Sequence, residues 1–158
     1  MIFLPIRGAC MKLTTVEMSA RPWVGALLAQ PVLARLATAN PITLQPHVVP
    51  VWFEWDGEAI WISSFDSTRK MRDLARNPRV SIVIDAVDDA EHNRGVVFEG
   101  KAEVISDPDA VVARATSIYV RYLGEAGARK PEPASWIVDP ENRVIRLTPE
   151  RIYIWGET

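Results

Sequence analysis

The 158-residue chain has one cysteine, two histidines and eight glycines, and each scarcity excludes something. Cys10 alone cannot build an internal disulfide framework and suits a reducing compartment, so a cytoplasmic location is expected. The histidines, His47 and His92, belong to no cluster of His, Cys, Asp and Glu at metal-ligand spacing, and no metal site is expected. No nucleophile–base pairing stands out either, so no catalytic residue is assigned. The apolar start at residues 1–6 is too short to span a bilayer and lacks a basic beginning, which argues against a membrane partner. Charge is nearly balanced, with 18 Lys and Arg against 20 Asp and Glu, giving no sign of a nucleic-acid partner. There is no internal repeat, no βαβ rhythm and no G-x-G-x-x-G, which excludes a dinucleotide-binding Rossmann domain.

What is present fits a globular protein: 48% hydrophobic and 24% charged residues, with six tryptophans. The length suits one domain over residues 19–158. Met11-Lys12-Leu13 reads as an equally good start, so residues 1–18 are expected to be peripheral or disordered.

Patterning gives the elements. Pro22 opens a short helix reaching about residue 30. Residues 31–39 read as a strand, and the run 46–55 is a second, rich in Val, Trp and Phe. Asp56-Gly57 follows as a hairpin turn, where Gly supplies positive φ. In the returning strand, Trp61, Ser63 and Phe65 share one face and Ile60, Ile62 and Ser64 the other. A helix over residues 68–76 turns Met71, Leu74 and Ala75 inward and ends at Pro78. Residues 79–85 and 95–105 are strands, with an acidic loop at 86–94 between them. Asp107-Pro108 starts a helix whose apolar stripe is Val111, Ala115, Ile118, Tyr119 and Tyr122. Residues 124–134 read as a loop, and strands at 143–147 and 151–155 close the chain. Tight turns imply antiparallel pairing, so a mainly β (α+β) barrel with helices outside is expected.

The element with the most chemistry is Ser67-Thr68-Arg69-Lys70, between the apolar strand and its helix. Two hydroxyls, a guanidinium and an ammonium at a helix start suit a phosphate. The competing reading is a solvated helix face with Arg69 pairing to Asp73, which would contribute only about 0.2–0.5 kcal/mol. Arg72, Arg76 and Arg79 are expected to point elsewhere as surface charges. Pro50 removes one ladder bond and needs a bulge, an edge or a cofactor-facing gap. For Trp52, core burial and contact with a cofactor or partner are equally good readings. Ser63 and Ser64 sit next to the phosphate element, and at least one of them is expected to touch a cofactor.

These runs, Pro46-His47-Val48-Val49-Pro50-Val51-Trp52-Phe53, Trp61-Ile62-Ser63-Ser64, Ser67-Thr68-Arg69-Lys70 and Asn77-Pro78-Arg79-Val80-Ser81, resemble the pyridoxamine 5′-phosphate oxidase-related, FMN-binding split barrels. The resemblance covers about residues 30–106 and again residues 146–151 with Trp155. It implies a six-stranded antiparallel split β-barrel with flanking helices, forming a homodimer with flavin in the clefts between subunits. It implies that Arg69 and Lys70 hold the cofactor phosphate with support from Thr68, and that Val49, Pro50, Val51, Trp52, Ser63 and Ser64 line the ring. The chain departs from the vitamin B6 oxidase proper, which carries a C-terminal arginine–histidine element for its substrate; residues 150–155 contain no histidine. The implied activity is therefore two-electron transfer at FMN to an unassigned small molecule. The alternatives are an F420-dependent reductase of the same fold and a non-catalytic flavin- or haem-binding module.

Overall fold

The computed structural model describes residues 11–87 and 93–156. His92 and Cys10 lie outside the described residues, as does most of the acidic loop. Fourteen elements follow in chain order: β1 Met11–Leu13, α1 Thr15–Ser19, α2 Pro22–Ala29, β2 Ala34–Ala39, β3 Pro46–Val51, β4 Glu54–Trp55, β5 Ile60–Phe65, α3 Arg69–Leu74, β6 Arg79–Val87, β7 Asn93–Ile105, α4 Pro108–Ala128, α5 Pro131–Ile137, β8 Asn142–Leu147 and β9 Arg151–Trp155. The described strands number nine rather than six, and every pairing is antiparallel.

Their order is β3-β2-β6-β7-β8-β5-β4, with β9 on β7 and β1 on β9. β7 is the strand that curls the sheet. Its first part pairs with β6 and β9, and from Ala102 onward it pairs with β8 instead. A long strand that changes partners midway bends one sheet into the next, giving the open, curled form of a split barrel. The alternation read in the sequence holds as far as Ala102, with Val96, Phe98 and Ala102 buried, but it fails at Val104, which is exposed in the part of the strand that has changed partners.

The interior is filled from all sides by Phe53, Leu36, Ile60, Ile62, Ile82, Ile84, Phe98, Ile145, Leu147 and Ile152. Part of the segment expected to be peripheral joins this core. Met11–Leu13 pairs with β9, the Thr14 side chain caps α1, and Met18 is buried.

The 46–55 run is broken at Trp52 and Phe53. Phe53 fills the barrel, and its N–H donates to the Tyr122 hydroxyl at 3.1 Å, which itself donates to the Val32 carbonyl at 2.7 Å. Asp56 and Gly57 make the expected turn, with Gly57 at φ 99° and Asp56 Oδ1 accepting from the Glu58 and Ala59 amides. The predicted loop at 124–134 is instead helical on both sides of a short link. α4 passes through Gly124 at φ 72°, ψ 167°, a conformation open essentially only to glycine, and α5 follows from Pro131. A second small core of Ala115, Tyr119, Ala128 and Ile137 forms under these helices. Among the described residues no helix is long and apolar enough to cross a membrane.

Candidate functional site: a cationic helix at the end of β5

β5 sits between β4 and β8, and its last residue, Phe65, is opposite Asn142. The chain then turns sharply. Thr68 N–H donates to the Phe65 carbonyl at 3.1 Å, and the Thr68 hydroxyl donates to the same oxygen at 2.8 Å. The Ser64 hydroxyl is 3.2 Å from that of Thr68 and is buried. Because the Thr68 hydroxyl turns back, no side chain caps α3. The helix is only six residues long, so its cations, more than its dipole, set the potential here.

Arg69 and Lys70 leave the first turn of α3 in different directions, because consecutive helical residues lie about 100° apart. Arg69 is 45% exposed, with Nε 3.8 Å from Asp73 Oδ2. Lys70 is half-buried, and burial lowers its pKa from the ordinary lysine value. Among the described residues no hydrogen bond or ion pair reaches its ammonium.

Arg69 lines an open cleft of about 560 Å³ together with Arg72 and Asp73 of α3 and Arg76 just past its end; the opposite wall is Asn40, Pro41 and Ile42 from the turn between β2 and β3. Arg72 and Arg76 are exposed surface charges as expected, but they line the same cleft as Arg69 instead of pointing elsewhere. Arg69 and Arg72, at i and i+3, share one face of α3, and Arg76 joins them from the turn two residues past its end. Lys70 does not line this cleft. Arg79 lines a separate hollow of about 190 Å³ with Thr38, Glu99 and Arg151.

The helix buries Met71 and Leu74 as expected, but its third inward residue is Asp73; Ala75 is exposed. Asp73 Oδ2 accepts from the buried Thr38 hydroxyl at 3.1 Å, and Asn77 Nδ2 donates to the Ala39 carbonyl at 3.2 Å. These bonds tie α3 and the turn that follows it to β2.

The remaining predicted site residues fall into two groups. Val49, Pro50 and Val51 lie on β3 opposite Leu36, Arg35 and Ala34, and among the described residues β3 has no partner on its other edge. The edge position accounts for Pro50, whose missing N–H faces no ladder. The ring of Trp52 is turned away, stacked on Tyr122 at 4.8 Å and edge-on to Tyr119 at 5.3 Å. Ser63 faces the same way as Trp52. Its hydroxyl donates to Asn142 Oδ1 at 2.9 Å and also bonds the Tyr119 phenol, whose pKa burial pushes up while the Ser63 bond works the other way. The structure therefore brings Ser64, Thr68, Arg69 and Lys70 together at one junction. Ser63 and Trp52 lie on the α4 side of the sheet, joined by Tyr119 and Asn142, which sequence reasoning did not single out for function.

Comparison with known proteins agrees with this architecture. The family model described as pyridoxamine 5′-phosphate oxidase matches residues 11–156. A 5a,11a-dehydrotetracycline/5a,11a-dehydrooxytetracycline reductase from Streptomyces rimosus is 34% identical over 128 residues, covering 77% of this chain and 72% of the relative. Among solved structures, the conserved hypothetical protein Rv2991 from Mycobacterium tuberculosis superposes with a TM-score of 0.74 at 27% identity, over 91% of this chain and 85% of that one. A protein titled F420 reductase superposes with a TM-score of 0.65 at 26% identity, over 80% and 93%.

Proposed function

Because the chain belongs to the pyridoxamine 5′-phosphate oxidase family, we propose that it is a cytoplasmic, homodimeric reductase that binds a flavin-type cofactor and acts on a conjugated small molecule. The observation that carries this reading is the set of cations at the β5–α3 junction. Lys70 is desolvated with no counter-charge among the described residues, and three guanidinium groups line one cleft. Such a junction fits a cofactor with an anionic tail, because burying an ammonium is unfavourable until an anion pairs with it.

The residues divide the work. Arg69 offers a planar fork to phosphate oxygens and Lys70 a point charge, while Ser64 and Thr68 fix the turn that presents both. Val49, Pro50 and Val51 offer a backbone edge, unpaired among the described residues, against which a flat ring can lie. Bound there, the cofactor supplies the hydride chemistry, and the chain needs only to orient it and exclude water.

FMN was the first expectation from the sequence, with F420 as the alternative. Two observations favour F420. One is the neighbour titled F420 reductase, the other the stretch of cationic charge from Arg69 to Arg76, longer than a single phosphate needs. The dehydrotetracycline reductase relative supports an unsaturated polycyclic ketone as the acceptor class. Fluorescence titration of the purified protein with F420 and FMN tests this. Tighter F420 binding by about tenfold or more, worth about 1.4 kcal/mol, followed by oxidation of reduced F420 on adding such an acceptor, is expected. Binding of neither cofactor would overturn the reading.

A further inference from the structure

Asp73 is 3% exposed inside a helix of six residues. A buried carboxylate is costly unless it is paired, and towards a helix C-terminus it also opposes the dipole. Its partners are the Thr38 hydroxyl, also 3% exposed, at 3.1 Å, and the Arg69 Nε at 3.8 Å from the same oxygen. The i,i+4 ion pair would contribute only about 0.2–0.5 kcal/mol on an exposed helix, too little to account for burying the acid.

The geometry accounts for it better. A guanidinium is a rigid planar fork, so a carboxylate that draws Nε towards it by charge, here across 3.8 Å and without a hydrogen bond, biases the direction of both Nη groups. Thr38 is fixed in β2, opposite His47 of β3, and it anchors the carboxylate oxygen that faces Arg69. We infer that Asp73, held by Thr38, is a positioning residue that aims the Arg69 fork into the α3 cleft for an anion. This rests on the reading of Arg69 as an anion anchor given above.

The sign of the effect separates this from a purely structural role. Asp73 lines the same cleft, so as a bystander its negative charge opposes anion binding, and removing it would strengthen binding. As a positioning group it does the reverse. Titration with F420, and in parallel with FMN, should therefore show Asp73→Asn weakening binding about 5- to 10-fold, within the range of coupling between contacting residues. In an Arg69→Ala background the same substitution should change affinity by less than about twofold, since its route of action is gone. Thr38→Val should weaken binding in the same direction, and Thr38→Ser should restore it, which keeps the test open if Asp73→Asn folds poorly. Equal losses in both backgrounds would overturn the inference, as would unchanged or tighter binding in Asp73→Asn. If Arg69→Ala itself leaves affinity intact, it is the function reading that fails.

Discussion

The ammonium of Lys70 is half-buried beside the first turn of α3, and desolvation holds its pKa below the ordinary lysine value. The unfolded chain therefore binds the proton more tightly, so stability rises with pH between the folded and unfolded values. At pH values below that window the folded protein carries the full penalty. Lys70→Met is expected to raise the melting temperature of the ligand-free protein while weakening cofactor binding, measured by thermal scans with and without cofactor. Wild-type affinity should also fall as pH rises through this lowered pKa, before the ordinary lysine range is reached. At this scale Arg69 and Lys70 were legible because they stand beside a strand end and a helix start. Arg72 shares a face with Arg69 by spacing alone, whereas Arg76 lies beyond the helix end. Their cleft appears only once Asn40, Pro41 and Ile42 are folded against them. Asp73 was not legible as an inward residue, because its partner Thr38 lies 35 positions away.

At the scale of elements, α4 is held to the barrel by polar contacts as much as by packing. Tyr122 accepts from the Phe53 amide and donates to the Val32 carbonyl, and Arg121 donates to the carbonyls of Leu28 and Gln30. Tyr122→Phe keeps the stacking on Trp52 but leaves the Phe53 amide and the Val32 carbonyl unpaired in a partly buried place. It is expected to cost about 1–3 kcal/mol, read from denaturant unfolding with an unchanged slope. Strand alternation and the Asp107 cap were plain in the sequence because both are local patterns. The 124–134 segment misread as a loop because Gly124 and Pro131 are ordinary breaking signals. Here Gly124 kinks a helix that continues, and Pro131 takes the first position of the next one.

At the scale of the whole molecule, the split barrel leaves β3 as an edge unpaired among the described residues, beside exposed Ile42, Leu44 and Val48. Prolines at positions 46 and 50 blunt that edge against strand addition, while the apolar side chains remain available to a partner surface. This supports the proposed homodimer, and sedimentation at micromolar concentration should give twice the mass of the 17.7 kDa chain. The antiparallel barrel followed from turn chemistry and alternation. The larger strand count did not, because β1 and β4 are too short to show a period and β1 exists only through its pairing with β9. The claim that joins all three scales is that cations at the β5–α3 junction anchor the cofactor's anionic tail. Its most direct test is cofactor titration of Arg69→Ala/Lys70→Ala beside the wild type, with folding checked by circular dichroism. Charge-assisted contacts contribute about 1.5–3 kcal/mol each, so a folded double variant should lose at least about a hundredfold in affinity. A folded double variant that binds F420 and FMN as tightly as the wild type would contradict the account.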